Sequence, residues 1–197
     1  MTHTRHPDLQ TFIDRAEAAV SASTRGSDVA KQAAALVFDR LRQRQGRAFA
    51  EGAARLPVCD HLPAALQAIH PARGAVAEAF AALLPGLSWH RRRSARPEDA
   101  AFWNGHANAM VFGPGGLEAR EDVMVGATVI APGTTYPDHT HPPEETYLPL
   151  TVGQWWNSAT DWTDPGADGL FHNTPGITHS MRALPGKPFL ALWFLPV

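Results

Sequence analysis

Side chains capable of metal binding and acid–base chemistry are concentrated in one short segment of this sequence. The segment GTTYPDHTHPPEETYLPLTVG places His139, His141 and Glu145 at the spacing H-x-H-x3-E, with Tyr147 two residues later. The chain has only two tyrosines, and the other one, Tyr136, lies three residues before the first of these histidines. Imidazole, carboxylate and phenol groups this close together indicate a functional site.

Strand geometry explains how these groups can meet. Residues i and i+2 of an extended strand point to the same side, so His139 and His141 project together, as do Glu145 and Tyr147. The two prolines between these pairs predict a turn that folds one pair back towards the other. His179, in the later segment PGITH, can complete the set from a separate strand. This combination of nitrogen and oxygen donors suits a divalent transition metal such as Zn, Fe, Mn, Ni or Co.

Composition and charge narrow the range of partners. The chain has 197 residues, 44% of them hydrophobic, and a formal net charge of −2. We therefore expect one compact domain with an appended segment, a small-molecule partner, and no binding to nucleic acid or membrane. The single cysteine, Cys59, excludes an internal disulfide framework and a cysteine-based zinc site. The short basic run His90–Arg93 is interpreted as a solvated face or a dimer contact.

The N-terminal sequence MTHTRHPDLQ bears on the cellular compartment. No apolar run follows its basic residues, which argues against a secretory signal. No window of the chain has the length of apolar sequence that a membrane-spanning helix needs. We therefore expect a cytoplasmic protein. The oligomeric state stays open, with a homodimer through the helical part as the expectation.

The composition changes near residue 85, and the part before it has a helical pattern. Apolar residues at helical spacing predict one helix from Pro7, a second capped by Ser27, and a third over about 62–84 that bends or splits near Pro71. The second helix is predicted to bury the residues that follow its cap at helical spacing, namely Val29, Ala33, Leu36, Val37 and Leu41.

The part after residue 85 has the pattern of a β protein. Short runs of strand-forming residues alternate with turns rich in Gly, Pro and Asp, and the strand candidates are residues 108–112, 122–131, 146–152 and 188–197. The sequence thus predicts a mostly β protein, with an α-helical segment over 1–85 and a double-sheet β-barrel over 86–197. A parallel α/β sheet is disfavoured because no helical pattern alternates with these strands.

The two histidine segments resemble the paired motifs of the cupin superfamily. The first, G-x5-H-x-H-x3-E-x7-G from Gly133, is one residue longer than usual before its final glycine. The second ends P-G-x2-H at His179, with one residue fewer between proline and glycine and no asparagine after the histidine. The resemblance implies a jelly-roll (double-stranded β-helix) barrel holding one divalent metal ion through His139, His141, Glu145 and His179.

A finer resemblance involves the tyrosines. The segment H-T-H-P-P-E-E-T-Y is similar to the H-x-H-x3-E-x-Y signature of the cupin-type dimethylsulfoniopropionate (DMSP) lyases of the bacterial L and Q types. These enzymes also carry a helical N-terminal part and a tyrosine just before the first histidine, and they cleave DMSP to dimethyl sulfide and acrylate. The resemblance implies that Tyr147 is the catalytic base and that Tyr136 is a second catalytic and substrate-binding residue.

The expected residues suit the elimination of a sulfonium. A divalent cation offsets the charge that develops when a proton leaves the carbon beside a carboxylate, and a nearby cation favours the phenolate form of Tyr147. The sulfonium needs a dry aromatic pocket. Candidates for its wall are Tyr136 together with Trp155 or Trp156, because one of two adjacent strand residues must face inward. We expect Trp193 to lie in the core.

Two other classes of function stay open at this point. One is another metal-dependent cupin enzyme, such as a small-substrate dioxygenase or a sugar isomerase, which needs the same open metal positions. The other is a small-molecule sensor without catalytic activity; the helical half has no basic recognition helix for DNA. Release of dimethyl sulfide separates the lyase from both. Ligand type alone does not identify the metal, because the first-row ions compete for such sites.

Overall fold

The computed structural model describes residues 5–48 and 53–197 of the chain. In this part the α-helices are α1 (Pro7–Ser21), α2 (Asp28–Gln43), α3 (Leu62–Gln67), α4 (Gly74–Leu83) and α5 (Ala100–Gly105). Short 3-10 helices lie at Pro57–His61, Pro71–Arg73 and Leu84–Gly86. The strands are β1 (Arg47–Ala48), β2 (Trp89–His90), β3 (His106–Phe112), β4 (Glu118–Ala119), β5 (Val123–Ile130), β6 (Thr135–His139), β7 (Glu145–Pro149), β8 (Gln154–Asn157), β9 (Phe171–Asn173), β10 (His179–Arg182) and β11 (Phe189–Pro196).

The helices begin and break where local chemistry predicts. The Ser27 side chain accepts a hydrogen bond from the Ala30 N–H at the start of α2, which satisfies one otherwise unpaired amide. The predicted third helix is divided into α3 and α4, with a 3-10 turn at Pro71 between them, because proline cannot donate the hydrogen bond that helix continuation needs. The predicted division near this proline is therefore confirmed.

The buried face of α2 differs from the prediction in part. Val29 and Leu36 were expected inside, but they are 50% and 42% exposed. Three residues are buried as predicted, namely Ala33, Val37 and Leu41. The other buried residues of the helix are Ala30, Ala34 and Phe38. The small alanines let α2 approach the sheet closely, and Phe38 sets the rotation of the helix because its ring packs at a tilt against that of Phe194, with the ring centres 5.3 Å apart.

The strands form two sheets rather than one closed barrel. The larger sheet has the order β1-β4-β3-β5-β11-β7-β9, with β2 added against β3, and the smaller has the order β6-β10-β8. The four predicted strands correspond to β3, β5, β7 and β11, so the expectation of a mostly β protein with N-terminal helices is confirmed. The predicted double-sheet arrangement is also confirmed, and the two sheets share no strand pair among residues 5–48 and 53–197.

Strand β11 shows how the layers are built. Its side chains are buried on both faces, which explains why the segment is continuously apolar. Leu190, Leu192 and Phe194 pack towards the helices, whereas the alternate residues belong to a second cluster between the sheets. Full burial of a side chain of this size contributes about 1.5–3 kcal/mol. The interior cluster contains the aromatic residues that surround the candidate site.

Buried ion pairs attach the N-terminal segment to the large sheet. Arg5 donates to Glu118 at 2.7 Å, and both side chains are almost completely buried. Arg120 pairs with Asp122 at 2.8 Å and also donates to backbone carbonyls at the end of α2. The core likewise continues from the helices into the sheet. The division into segments 1–85 and 86–197 stays a prediction.

The described helices are all too short or too polar to cross a lipid bilayer.

Candidate metal centre and cavity

A cavity of about 460 Å³ lies between the two sheets. Its wall combines a basic edge, a histidine and carboxylate cluster, both tyrosines and an apolar side. The lining residues are His90, Arg92, Arg93, Ser94, Asn108, Met124, Thr128, Tyr136, His139, His141, Glu145, Tyr147, Met181, Trp193 and Leu195. Its size suits a small-molecule ligand.

Three histidines from distant positions in the sequence meet at this cavity. His139 ends β6 and His179 begins β10, and these two residues are direct partners in the antiparallel pairing of the strands. His141 follows in the loop after β6, with its ring 4.9 Å from that of His179. One ring nitrogen of each histidine lies within 4.8 Å of those of the other two.

All three imidazoles make the same kind of backbone contact. Each Nδ1 lies within hydrogen-bonding distance of a backbone carbonyl two residues away: His139 to Pro137 (2.8 Å), His141 to Pro143 (2.9 Å) and His179 to Ile177 (3.0 Å). A carbonyl oxygen can only accept, so each Nδ1 carries the hydrogen. The Nε2 atom of each neutral ring is then an acceptor. Backbone contacts of this kind orient metal-binding histidines in proteins.

The carboxylate of Glu145 lies against two of these rings. Its Oε2 atom is 3.2 Å from Nε2 of His141 and 3.3 Å from Nε2 of His179, and it accepts a long hydrogen bond from Asn173 at 3.5 Å. In the part of the chain that the structure describes, the buried Nε2 of His179 has no hydrogen-bond partner of adequate geometry. Acceptor atoms so close to one another repel unless a cation lies between them.

The pKa values follow from burial and from these contacts. Burial lowers the pKa of His139 to about 3, with the neighbouring His179 adding to the effect. Burial also opposes protonation of His141, but the hydrogen bond and charge of Glu145 outweigh it and raise the His141 pKa. Burial raises the pKa of Glu145, but the close contacts with His141 and His179, which become favourable when a ring is protonated, reverse this, so that its pKa falls well below the usual range. Glu145 is therefore ionised.

The donor set is compatible with a divalent metal ion. Three neutral imidazoles and a carboxylate are typical ligands of borderline transition metals, and an ion between them would satisfy the unpaired Nε2 of His179. The three histidines form the group whose ligand atoms all lie within 4.8 Å of one another, and Glu145 is adjacent to two of them. The four predicted ligands are thus in one place.

Both tyrosines line the same cavity. Tyr147 lies two residues after Glu145 on β7, and the two side chains share the cavity face, as alternation along a strand predicts. Burial raises the Tyr147 pKa well above its ordinary value, and the negative charge of Glu145 adds to this. Burial also raises the pKa of Tyr136, against the opposing effect of the Arg92 charge. In the absence of a cation, both phenols are protonated at neutral pH.

The tryptophans are arranged differently from the expectation. Trp155 is fully buried behind the cavity, with its ring 4.7 Å from Phe189 and 6.2 Å from Tyr147. Trp156 faces the other way and lies 6.4 Å from Trp162. Neither residue lines the cavity. Trp193 belongs to the buried cluster between the sheets, as expected, and it also lines the cavity. Trp193 is the direct strand partner of Tyr147 in β11, so the two rings share one side of the large sheet.

The sequence interpretation missed the basic edge of the cavity. The run His90–Arg93 was interpreted as a solvated face or a dimer contact, but His90, Arg92 and Arg93 line the cavity. Short strand β2 pairs with β3, which directs the following residues across the cavity edge. The Arg92 N–H donates to Nε2 of the buried His106 at 2.9 Å and anchors this segment. No sequence motif connects this basic run with the histidine segment, so the sequence did not indicate that the two would meet.

The two facing sheets, whose strands pair antiparallel except for β3 with β4, hold the histidine cluster between them and form a cupin-like fold with a candidate metal centre. The chain belongs to the dimethylsulfoniopropionate lyase family, whose sequence model matches residues 29–191.

A curated relative agrees with this assignment. One relative is a Cereibacter sphaeroides protein named as a proposed DMSP lyase, DddL. It is 33% identical over 127 residues, which cover 62% of this chain and 52% of that protein. The chain therefore spans about half the length of this curated relative.

Solved structures show the same fold. A crystal structure described as that of the DMSP lyases RdDddP and RnDddQII matches with a TM-score of 0.72 and 18% identity, covering 96% of this chain and 92% of the other. The DMSP lyase DddQ from Ruegeria pomeroyi matches with a TM-score of 0.67 and 21% identity, covering 87% and 93%.

Proposed function

We propose that this protein is a metal-dependent DMSP lyase, which eliminates dimethyl sulfide from DMSP and leaves acrylate. The observation that carries the proposal is that both tyrosines line the cavity that contains the histidine cluster, in a chain of the DMSP lyase family. A sulfonium and a carboxylate joined by two methylene groups fit a small cavity that is apolar on one side and basic on the other.

One divalent transition metal ion is the proposed cofactor, held by His139, His141, His179 and Glu145. The common tautomer of the three imidazoles and the unpaired Nε2 of His179 support this assignment. When bound, the ion supplies positive charge that neutralises Glu145 and stabilises negative charge developing on the substrate carboxylate. The charge of Glu145 is one cause of the high Tyr147 pKa, so its neutralisation favours the phenolate.

Tyr147 is the proposed general base. As a phenolate it takes a proton from the carbon next to the substrate carboxylate. The electrons of the broken C–H bond form the C=C bond of acrylate, and the C–S bond breaks with its electron pair leaving on sulfur. Dimethyl sulfide departs neutral, and Tyr147 is left protonated. Burial of this residue excludes water from the reacting phenol.

The sulfonium is proposed to lie on the apolar side of the cavity. Trp193 offers an aromatic face there, and Met124, Met181 and Leu195 complete a dry surface. Aromatic faces stabilise cations that have lost their water. Trp193 therefore replaces Trp155 and Trp156 as the proposed sulfonium contact, while Tyr136 keeps its proposed role against the substrate.

The basic edge is proposed to bind the second oxygen of the substrate carboxylate. Arg92 is half-buried, and its guanidinium carbon lies 5.9 Å from the centre of the Tyr136 ring. Arg93 lines the same edge. A guanidinium forms charge-assisted hydrogen bonds with a carboxylate. A cation at this edge also repels the sulfonium, so the substrate is held in one orientation.

Headspace detection of dimethyl sulfide from metal-loaded protein and DMSP tests the proposal. We expect dimethyl sulfide and acrylate in equal amounts, with loss of activity after chelation and recovery on adding Zn, Fe, Mn, Ni or Co. Oxygen uptake with small acids or thiols, in the absence of dimethyl sulfide, would support the dioxygenase alternative instead. The cytoplasmic location and the homodimer stay predictions.

A further inference from the structure

A line of hydrogen bonds runs along the cavity wall from Trp193 to Tyr136. The Trp193 indole N–H donates to the Thr128 hydroxyl at 3.1 Å, and this hydroxyl donates to Oδ1 of Asn108 at 2.6 Å. The Asn108 amide nitrogen in turn donates to the Tyr136 hydroxyl at 3.1 Å. The four residues come from four strands and all line the cavity. We call this line the Trp–Tyr relay.

The direction of the Trp–Tyr relay is set at its first member. An indole N–H can only donate, so the Thr128 oxygen must accept from Trp193. Thr128 is buried, and in the part of the chain that the structure describes Oδ1 of Asn108 is the one acceptor for its hydroxyl hydrogen. This fixes which end of the Asn108 amide faces Thr128. The amide NH₂ must then point at Tyr136.

The orientation of the Asn108 amide determines the hydrogen bonding of the Tyr136 hydroxyl. Its oxygen accepts from Asn108, so its own hydrogen is available for another partner. Among residues 5–48 and 53–197, no protein group accepts this hydrogen, although the Tyr136 side chain is 3% exposed. Buried hydroxyl hydrogens are rarely left without an acceptor. Because Tyr136 lines the cavity, a ligand there can accept this hydrogen.

A glycine opposite Trp193 makes the first contact of the relay possible. Gly126 is the direct strand partner of Trp193. A Cβ atom at this position would lie 2.3 Å from Cζ2 of the indole and 2.3 Å from the Ala109 carbonyl oxygen. Because glycine has no Cβ, the indole lies flat across β5 and reaches Thr128, which is two residues further on the same face.

We infer that Thr128 and Asn108 are positioning residues that hold the Tyr136 hydroxyl as a hydrogen-bond donor to the ligand. If the proposed function holds, the ligand is DMSP, and the hydroxyl donates to the substrate carboxylate as negative charge develops on it. Thr128 and Asn108 act through Tyr136 and not through their own contact with the reacting atoms. Trp193 serves both as the start of the relay and as a wall of the cavity.

Substitutions at Thr128 test the inference through activity. Thr128→Val keeps the shape but removes the hydroxyl, and we expect kcat/KM to fall about tenfold, the value of one hydrogen bond. Most of the fall should lie in kcat. Thr128→Ser restores the hydroxyl and should recover most of the loss. Thr146→Val is the matched control, because this buried threonine bonds to the Ala30 carbonyl on the helix side and does not line the cavity.

A double-mutant cycle separates positioning from a general loss of packing. In a Tyr136→Phe background the relay has lost its last member, so Thr128→Val should have no further effect on kcat/KM. An undiminished tenfold effect in that background would overturn the inference. So would equal activities of the valine and serine variants at Thr128.

A measurement without turnover tests the relay even if DMSP is not cleaved. Nuclear Overhauser effects from the Asn108 side-chain amide protons should reach the ring protons of Tyr136, and the Trp193 indole N–H resonance should shift in Thr128→Val and return in Thr128→Ser. Amide proton contacts to the Thr128 methyl alone would show the opposite amide orientation and refute the relay. Absence of dimethyl sulfide with these contacts intact would refute the lyase and not the relay.

Discussion

His139 and His179 are directly opposed on neighbouring antiparallel strands, and their ring centres are 4.0 Å apart. This relationship joins two motifs that are distant in the sequence. It exists only when β6 and β10 are paired, so the metal donor set is absent from the unfolded chain. Any metal that binds there must stabilise the folded state, by an amount that grows with the logarithm of its concentration above Kd.

Removal of one of these histidines should therefore weaken metal binding and remove metal-dependent stabilisation. We expect His179→Gln to lower the metal content of the purified protein and to abolish most of the rise in Tm on metal addition. His172→Gln is the control, because His172 lies on β9 beside β7 and pairs with Glu144 at 3.0 Å, and it does not line the cavity. Equal metal content in both variants would contradict the assignment of His179.

Tyr147→Phe should separate chemistry from metal binding. The change removes the hydroxyl but keeps the buried ring, so we expect unchanged metal content and thermal stability. Loss of the general base should lower kcat by at least 10²-fold, the usual contribution of such a group. Metal analysis and headspace dimethyl sulfide check the two parts separately. Activity close to that of the unaltered protein would remove Tyr147 from the proposed mechanism.

Arg92→Gln should weaken substrate binding without affecting the metal. Hydrogen bonds to charged groups contribute about 1.5–3 kcal/mol, so we expect KM for DMSP to rise roughly 10- to 100-fold. The control is Arg91→Gln, because Arg91 stacks on Trp103 at 4.3 Å and does not line the cavity. Similar KM values for the two variants would show that the basic edge does not hold the carboxylate.

The interface between α2 and the large sheet should depend on Phe38 and not on Leu36. Phe38 is 2% exposed against Phe194, whereas Leu36 is 42% exposed. We expect Phe38→Ala to lower the free energy of unfolding by about 3–5 kcal/mol, because it leaves a cavity. Leu36→Ala should change it by about 0.5 kcal/mol or less. Denaturant unfolding measures both, and comparable losses would disprove the rotation of α2 described here.

The folded state should become less stable as pH decreases, because the buried His106 resists protonation. Burial lowers the His106 pKa to about 4, and the charges of Arg91 and Arg92 act in the same direction. The unfolded chain takes up a proton near pH 6.5, whereas the folded protein does so only near pH 4. The folded state therefore loses stability as pH decreases between these values, by roughly 3 kcal/mol in total.

His106→Gln tests this dependence, since glutamine does not titrate and its carbonyl can still accept from the Arg92 N–H. We expect the variant to lose less stability than the unaltered protein between pH 7 and pH 4.5. Unfolding in denaturant at both pH values gives the comparison. Parallel losses in the two proteins would show that other groups cause the acid sensitivity.

Local sequence was sufficient for many elements and for the composition of the site. The helix cap at Ser27, the break at Pro71 and the alternation along β11 are decided by neighbouring residues, and all three are confirmed. Strand periodicity likewise predicts that Glu145 and Tyr147 lie on the same side of β7, and both line the cavity. Motif spacing predicted the four residues that the fold then brought to one place.

Other features depended on contacts that no local pattern contains. Alternation predicts that one of Trp155 and Trp156 faces inward, but it does not say how deep an inward residue lies between the sheets. Trp155 is inward and buried beyond the cavity, and Trp193 on another strand lines it instead. The buried face of α2 was similarly decided by the fit of Phe38 against the sheet.

The sequence by itself determined which chemical groups the candidate site contains, because the types of the ligand residues, their spacing and the two tyrosines are all part of the primary structure. The tertiary structure alone decided what surrounds that chemistry. Arg92, Asn108 and Thr128 reach the cavity through strand pairing and sheet packing. Such contacts join residues far apart in the chain, and their formation depends on the burial and hydrogen bonding of the whole fold.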